Sequence, residues 1–166
     1  MTASAAPPTA KQLRVVVGTV PDPEIPVLTI ADLGILRDVR IDGGRVEVDI
    51  TPTYSGCPAM DVIREDVEAA VRSQGFTEVT VRTVLSPPWT TDWLSDDARH
   101  RLLAHGVAPP APVRVGAGLR TLPVAVGCPQ CGSTRTDELA RFGSTACMAL
   151  RRCVGCREPF PHMKPH

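Results

Sequence analysis

An α+β chain, a small mixed sheet with helices packed on one face followed by a four-cysteine ribbon, is the fold class that three observations predict. Helical and strand periodicities alternate along residues 11–107, a glycine pair marks a hairpin between two strands, and two C-x2-C pairs sit near the end. At 166 residues the chain suits one domain of about 100 to 150 residues plus a small appendage. Aromatic residues are 4% of the total, so the core must be built from Val, Leu, Ile and Ala.

Leu13, Val16, Val17 and Val20 recur at helical spacing and predict a first helix, although Val15-Val16-Val17 favours strand on propensity alone. The helix must stop at Pro21. Three prolines in Pro21-Asp22-Pro23-Glu24-Ile25-Pro26 fix the backbone as a rigid loop that presents Asp22 and Glu24, either to cap and solvate the turn or to meet a ligand or partner. Ala31-Asp32-Leu33-Gly34 leads into a strand from Ile35 to Ile41. Asp42-Gly43-Gly44 returns the chain along Val46 to Ile50, which alternates apolar and polar. Ile63, Val67, Ala70 and Val71 share one face of a helix from Ala59 to about Gln74, stopped at Gly75, and Thr77 to Leu85 alternates as a third strand.

Ser86 to Trp93 is a loop holding both tryptophans, as plugs for a sheet end or as ligand stackers. A helix follows, with Ser95 as N-cap, Asp96 and Asp97 in its first turn, Leu102 and Leu103 facing inward and Gly106 at its end. Residues 108–123 form a Pro/Gly-rich linker, which makes 11–107 the α/β domain and 124–166 the ribbon.

Charge supports that division. The chain is neutral overall, yet residues 1–112 carry 10 basic and 15 acidic side chains and residues 113–166 carry 8 and 3. Met1 to Ala10 lacks a basic n-region and an apolar h-region, and no apolar run approaches the roughly 20 residues of a membrane span, so a cytoplasmic chain is expected. In a reducing compartment the six cysteines serve metal or thiol chemistry rather than disulfides.

Cys57 is placed for such chemistry. It lies in Thr51-Pro52-Thr53-Tyr54-Ser55-Gly56-Cys57-Pro58, between a strand and a helix, with Pro58 in the first helical turn and Cys57 near the N-cap. There the unpaired amides and the positive end of the helix favour thiolate, which attacks electrophiles and binds metal. A small buried cysteine is the plain alternative. A phosphatase loop would need arginine six residues on; residue 63 is isoleucine and Arg64 is one position late.

Cys128-Pro129-Gln130-Cys131 and Cys153-Val154-Gly155-Cys156 are two C-x2-C pairs separated by 21 residues, the spacing of a four-cysteine zinc site. Gly132 and Gly155 suit tight knuckles. So short a segment needs a staple, so the zinc is read as structural; an iron-sulfur cluster on the same thiolates and paired redox dithiols are the alternatives. Cys147 reads as core or as a spare thiol. His162 and His166 read as a solvated tail pair, with metal ligation the alternative. Zinc and four thiolates reduce the ribbon's positive charge to about +3, and without a basic run interleaved with aromatics, nucleic-acid binding is not expected.

These motifs carry a resemblance. Asp22-Pro23-Glu24-Ile25-Pro26, Asp32-Leu33-Gly34 and the turn from Thr51 to Pro58 resemble the metal-sulfur cluster biosynthesis family of small α/β proteins. With Phe142-Gly143-Ser144-Thr145-Ala146-Cys147 and Arg157-Glu158-Pro159-Phe160 of the ribbon, nearly the whole chain is similar to the branch of that family associated with phenylacetyl-CoA epoxidase in aerobic phenylacetate degradation. The resemblance implies an accessory protein rather than an enzyme, one that assembles or delivers an iron or iron-sulfur centre to the epoxidase complex. The alternative is a structural or regulatory subunit without cluster transfer. It implies a metallocentre role with Cys57 as candidate cluster ligand; a transient iron-sulfur cluster is therefore expected beside the structural zinc, and Asp22, Glu24, Thr53 and Gly56, on the loop and turn that could flank the same opening, are read as residues that bind cluster or client. Partners would be the epoxidase subunits or other iron-sulfur clients, with a homodimer as a further option.

Overall fold

Thr9 sets the first regular element. In the computed structural model, which describes residues 7–54, 56–111 and 125–166, the Thr9 hydroxyl accepts from the Gln12 amide and the Gln12 side chain accepts from the Thr9 amide. This reciprocal cap opens α1, Ala10–Gly18. Leu13 and Val17 are fully buried, while Val15 between them is 67% exposed. The helical period has therefore overridden the strand propensity of the three valines.

β1 (Leu36–Asp42) and β2 (Arg45–Ile50) form the expected hairpin. Gly43 and Gly44 have φ of 54° and 87°, two successive left-handed residues that glycine adopts without steric cost. α2 (Ala59–Ser73) is the crossover, and β3 (Glu78–Thr83) returns parallel to β2, with Val46 beside Val79 and Ile50 beside Thr83. The sheet is mixed, in the order β1-β2-β3. α1 packs on β1, and α2 on β3 and on α1; Val46, Val48 and Ile50 of the central β2 join Leu13, Val17, Ile63, Val67 and Val71 of these helices in a core buried to 1% or less. Each such side chain contributes about 1.5 to 3 kcal/mol by leaving water.

The other face is charged. Asp49 on β2 sits between Arg40 on β1, at 2.9 Å, and Arg82 on β3, at 3.0 Å; Arg40 also reaches Asp38 and Glu47. Burial pushes the Asp49 carboxyl up, but the hydrogen bonds from Arg82 and Arg40 outweigh it and hold the group below the ordinary carboxylate range.

Compactness divides the chain between Pro88 and Trp89. In the second unit a short 3-10 turn, Thr91–Trp93, precedes α3 (Asp96–Ala104), capped by the Ser95 hydroxyl, which accepts from the Ala98 amide at 3.0 Å. Leu102 is buried as expected. Leu103 is 40% exposed, because adjacent helical residues lie about 100° apart and cannot share a narrow apolar stripe. β4 (Thr136–Ala140), β5 (Met148–Cys153) and β6 (Pro159–Met163) form an antiparallel ribbon in that order.

Residues 89–107, expected with the first domain, and residues 108–111, expected as linker, group with this ribbon. Ala108 donates to Pro161 O at 2.9 Å and accepts from the Met163 amide at 3.0 Å, so it pairs beside β6. Arg99 donates to the carbonyls of Thr91 and Pro110, both at 2.7 Å. Trp89 is buried with its ring 6.1 Å from that of His166, whose main chain is held by Thr90 and Thr91. Residues 112–123 of the expected linker lie outside the described residues. Among the described residues no helix is long and apolar enough to cross a membrane.

Candidate functional site

The Cys57 turn is built from the end of β2. The Thr51 amide donates to Ile35 O at 2.9 Å and the Val84 amide to Ile50 O at 2.8 Å, so the segment entering β1, the turn after β2 and the segment after β3 meet at one end of the sheet. The Cys57 amide donates to Tyr54 O at 3.1 Å and the Met60 amide to Cys57 O at 3.3 Å. Gly56 has φ of 84°, a left-handed turn residue, and a Cβ there would meet nothing within 4 Å. Thr53 is half-buried on the same turn, and Ser55 lies outside the described residues.

Pro58, rather than Cys57, occupies the N-cap of α2, which places Cys57 one residue ahead of the helix, half-buried. Proline has no side-chain acceptor, and among the described residues no side chain caps this helix. The positive end of α2 is thus left to whatever acceptor approaches beside the thiol.

Asp22 is 6% exposed, and its Oδ1 accepts from the Glu24 and Ile25 amides at 2.9 and 2.8 Å. It therefore caps its own turn, the plainer of its two expected roles. Burial raises the Asp22 pKa against the pull of those amides; burial and then the Asp22 charge raise that of Glu24. Among the described residues no cation pairs with either carboxylate. Their loop lies upstream of β1, whose first residue, Leu36, pairs with Ile50 at the end of β2 that leads into the Cys57 turn. Sequence reading did not single out Tyr54 or Leu85, which are 43% and 67% exposed where β2 and β3 end. The signal was present in the strand alternation, which runs past the end of β3 into the exposed apolar Leu85.

The four knuckle sulfurs of Cys128, Cys131, Cys153 and Cys156 lie within 4.8 Å of one another. Cys128 and Cys156 are 3.7 Å apart, Cys131 and Cys153 3.5 Å. A tetrahedron with metal-sulfur bonds of about 2.3 Å has edges of about 3.8 Å, so these thiolates fit zinc. Cys128 and Cys153 are buried with Ala108 and Phe160, whereas Cys131 and Cys156 are exposed. The Cys156 amide donates to Cys153 Sγ at 3.5 Å and lowers that thiol to about 6. Cys147 is outside the set: it is buried, with Sγ 3.1 Å from the Thr145 hydroxyl.

The knuckles share one backbone device. The Gly132 amide donates to Cys128 O and the Arg157 amide to Cys153 O, both at 2.9 Å, and both fifth residues are left-handed, with φ of 73° and 67°. Sequence reading assigned the second turn to Gly155. Arg157 carries it, while Gly155 has no positive φ and room for a Cβ. A left-handed non-glycine costs about 1 kcal/mol, so Arg157→Gly is expected to raise the ribbon's melting temperature and Gly132→Ala to lower it, as read by calorimetry. The reverse order would remove this account of the knuckles.

His162 corrects a second expectation. It is 6% exposed on β6, not solvated, and Nε2 has no hydrogen-bond partner among the described residues. Burial, and then the charge of Arg151, push the ring down from 6.5 to about 4. The folded protein holds this proton less readily than the unfolded chain, so the stability contributed by the neutral ring is present above pH 6.5 and is lost as pH falls towards 4. The loss is of order 3 kcal/mol. Stability of the second unit against denaturant should therefore fall more steeply across that window in the wild type than in His162→Phe; parallel curves would contradict this.

Comparison with known proteins places these two units. Residues 10–83 match the model of the iron-sulfur cluster assembly protein family, and residues 114–164 that of the PaaD zinc beta ribbon domain. A protein of Escherichia coli (strain K12), provisionally assigned as the D component of 1,2-phenylacetyl-CoA epoxidase, is 47% identical over 98% of this chain and 96% of its own length. An Fe-S protein maturation auxiliary factor of Porphyromonas gingivalis is 42% identical over 48% of this chain and 77% of its own. The crystal structure of a domain of unknown function, DUF59, from Bacillus anthracis matches with a TM-score of 0.52 and 29% identity, over 56% of this chain and 90% of that one.

Proposed function

The chain belongs to the PaaD family, in which an iron-sulfur cluster assembly domain is joined to a zinc ribbon, and on that premise we propose that it assembles or delivers an iron or iron-sulfur centre to the phenylacetyl-CoA epoxidase. The observation that carries the reading is the half-buried Cys57 one residue ahead of α2, whose N-cap is a proline, where a thiolate ligand and the negative charge of a cluster both meet the positive helix end.

The chemistry of that turn suits a carrier. A cluster wants about four protein thiolates. Cys57 supplies one, so the others come from the client or from a small thiol, and a centre held by one resident ligand exchanges readily. Gly56 leaves the approach to the turn open. Asp22 fixes its own loop, while Glu24, carrying a raised pKa, is the carboxylate free of that capping duty and available to iron or to a basic client. Tyr54 and Leu85 add apolar surface at the same sheet end for docking. In the ribbon, Cys128, Cys131, Cys153 and Cys156 would hold zinc, which supplies a cross-link to the fold; Cys131 and Cys156 lie at its exposed side.

Anaerobic purification tests the reading through metal and sulfide content and the visible spectrum, followed by mixing with iron-free epoxidase. Cluster absorbance that decays as iron appears in the epoxidase supports it. An unchanged spectrum with a stable complex between the two proteins favours a structural or regulatory role.

A further inference from the structure

The two edges of the three-stranded sheet are treated differently. On β1 the register shifts at Arg37, and Arg14 reaches across from α1 to donate to the Arg37 carbonyl at 3.0 Å. A bulge and a basic side chain are devices that keep an edge from pairing. β3 has neither. Its register with β2 is uninterrupted over all six residues, it contains no proline or lysine, and no described residue pairs with its outer side. Glu78, Thr80, Arg82 and Thr83 are exposed, and Val79 and Val81 are half-buried.

We propose that this edge joins a second copy of the chain, β3 against β3, antiparallel about a two-fold axis at Thr80. Hydrogen-bond direction sets which residues can pair. The Val84 amide points to β2, so by strand alternation those of Val79 and Val81 point outward. In the Thr80-centred register Val79 of one copy and Val81 of the other form the hydrogen-bonded pairs. Thr80 then faces itself at a non-bonded site, where Cα atoms approach to about 4.5 Å.

Charge selects that register. It sets Glu78 opposite Arg82 of the second copy, twice. Within each copy Glu78 already meets Arg45 at 3.0 Å and Arg82 meets Asp49 at 3.0 Å, so the seam extends an alternating row: Arg45, Glu78, then Arg82 and Asp49 of the other copy. Centring the axis on Val79 or Val81 instead puts Glu78 opposite Thr80 or Val84 and loses both pairs.

The inference does not rest on the cluster role, but it bears on it. In this dimer the two Cys57 turns lie at opposite ends of the seam, about 20 Å apart for a six-residue strand, so the copies do not share one cluster and the client must supply the missing ligands.

Sedimentation of the full chain over a range of concentrations tests the pairing. A concentration-dependent dimer is expected. Val81→Pro, whose lost amide makes no bond inside the monomer, should weaken it roughly tenfold or more while circular dichroism stays unchanged. Thr80→Cys should give a covalent dimer on treatment with diamide, which takes up two electrons and two protons as the two thiols become one disulfide, and should do so well beyond the wild-type baseline. Glu78→Cys, placed opposite Arg82, should not. A monomer at every concentration overturns the proposal, as does a dimer that survives Val81→Pro. If Val81→Pro misfolds, cross-linking decides: equal yields from Thr80→Cys and Glu78→Cys overturn the register.

Discussion

Replacing Cys128 with serine is expected to release the metal and unfold the ribbon while the sheet of β1, β2 and β3 stays folded. The ribbon's sulfurs are part of its core, since Cys128 and Cys153 pack with Ala108 and Phe160. In small zinc domains the metal contributes about 10 to 16 kcal/mol, as much as the net stability of a whole domain at about 5 to 15 kcal/mol. Removing one thiolate therefore takes the unit past its margin. Metal analysis and amide dispersion of residues 125–166 measure the outcome. Cys147→Ala serves as the control: its sulfur lies against Thr145, outside the cluster, so the metal should remain. A well-folded ribbon in metal-free protein would contradict the assignment.

The second large effect belongs to Cys57. In cells growing on phenylacetate, Cys57→Ala is expected to leave the protein folded and abundant yet lower ring-epoxidation activity, because the epoxidase is left short of iron. The truncation removes one half-buried sulfur from a turn held by backbone hydrogen bonds, and the stability cost should be about 1 kcal/mol or less. A large activity loss at normal abundance then reports chemistry at sulfur. The decisive quantity is the iron content of epoxidase purified from strains with and without the substitution. Normal iron with lost activity would favour a direct role within the epoxidase complex; normal iron with normal activity would make Cys57 a packing residue.

What could be read in advance followed the strength of local codes. Period, turn and cap signals placed α1 to α3 and β1 to β3, and the C-x2-C spacing marked the four cysteines whose sulfurs gather, because each is written within a few residues. Arg157 was not legible: nothing local marks an arginine as left-handed, and only its counterpart Gly132 shows what the turn requires. Nor was the burial of His162, which depends on Ala108 pairing beside it from more than fifty residues away. The same long reach hid the membership of α3. A proline cluster looked like a border, yet Arg99 ties residues on both sides of the helix together. At the Cys57 turn the strand-to-helix position of the sulfur could be read locally, while the seating of Pro58 at the N-cap emerged only in the structure.

That membership changes what counts as the transplantable piece. A ribbon cut at the proline cluster would leave behind Ala108, which shares the core of Cys128 and Cys153, and Thr91, whose hydroxyl and amide hold the last residue of the chain. Grafted onto another carrier from residue 112 onward it would arrive with an exposed strand edge and a frayed tail. Taken from Trp89 it would carry its own helix, its own clamp and its own metal ligands, as an inherited module with its seam at Pro88.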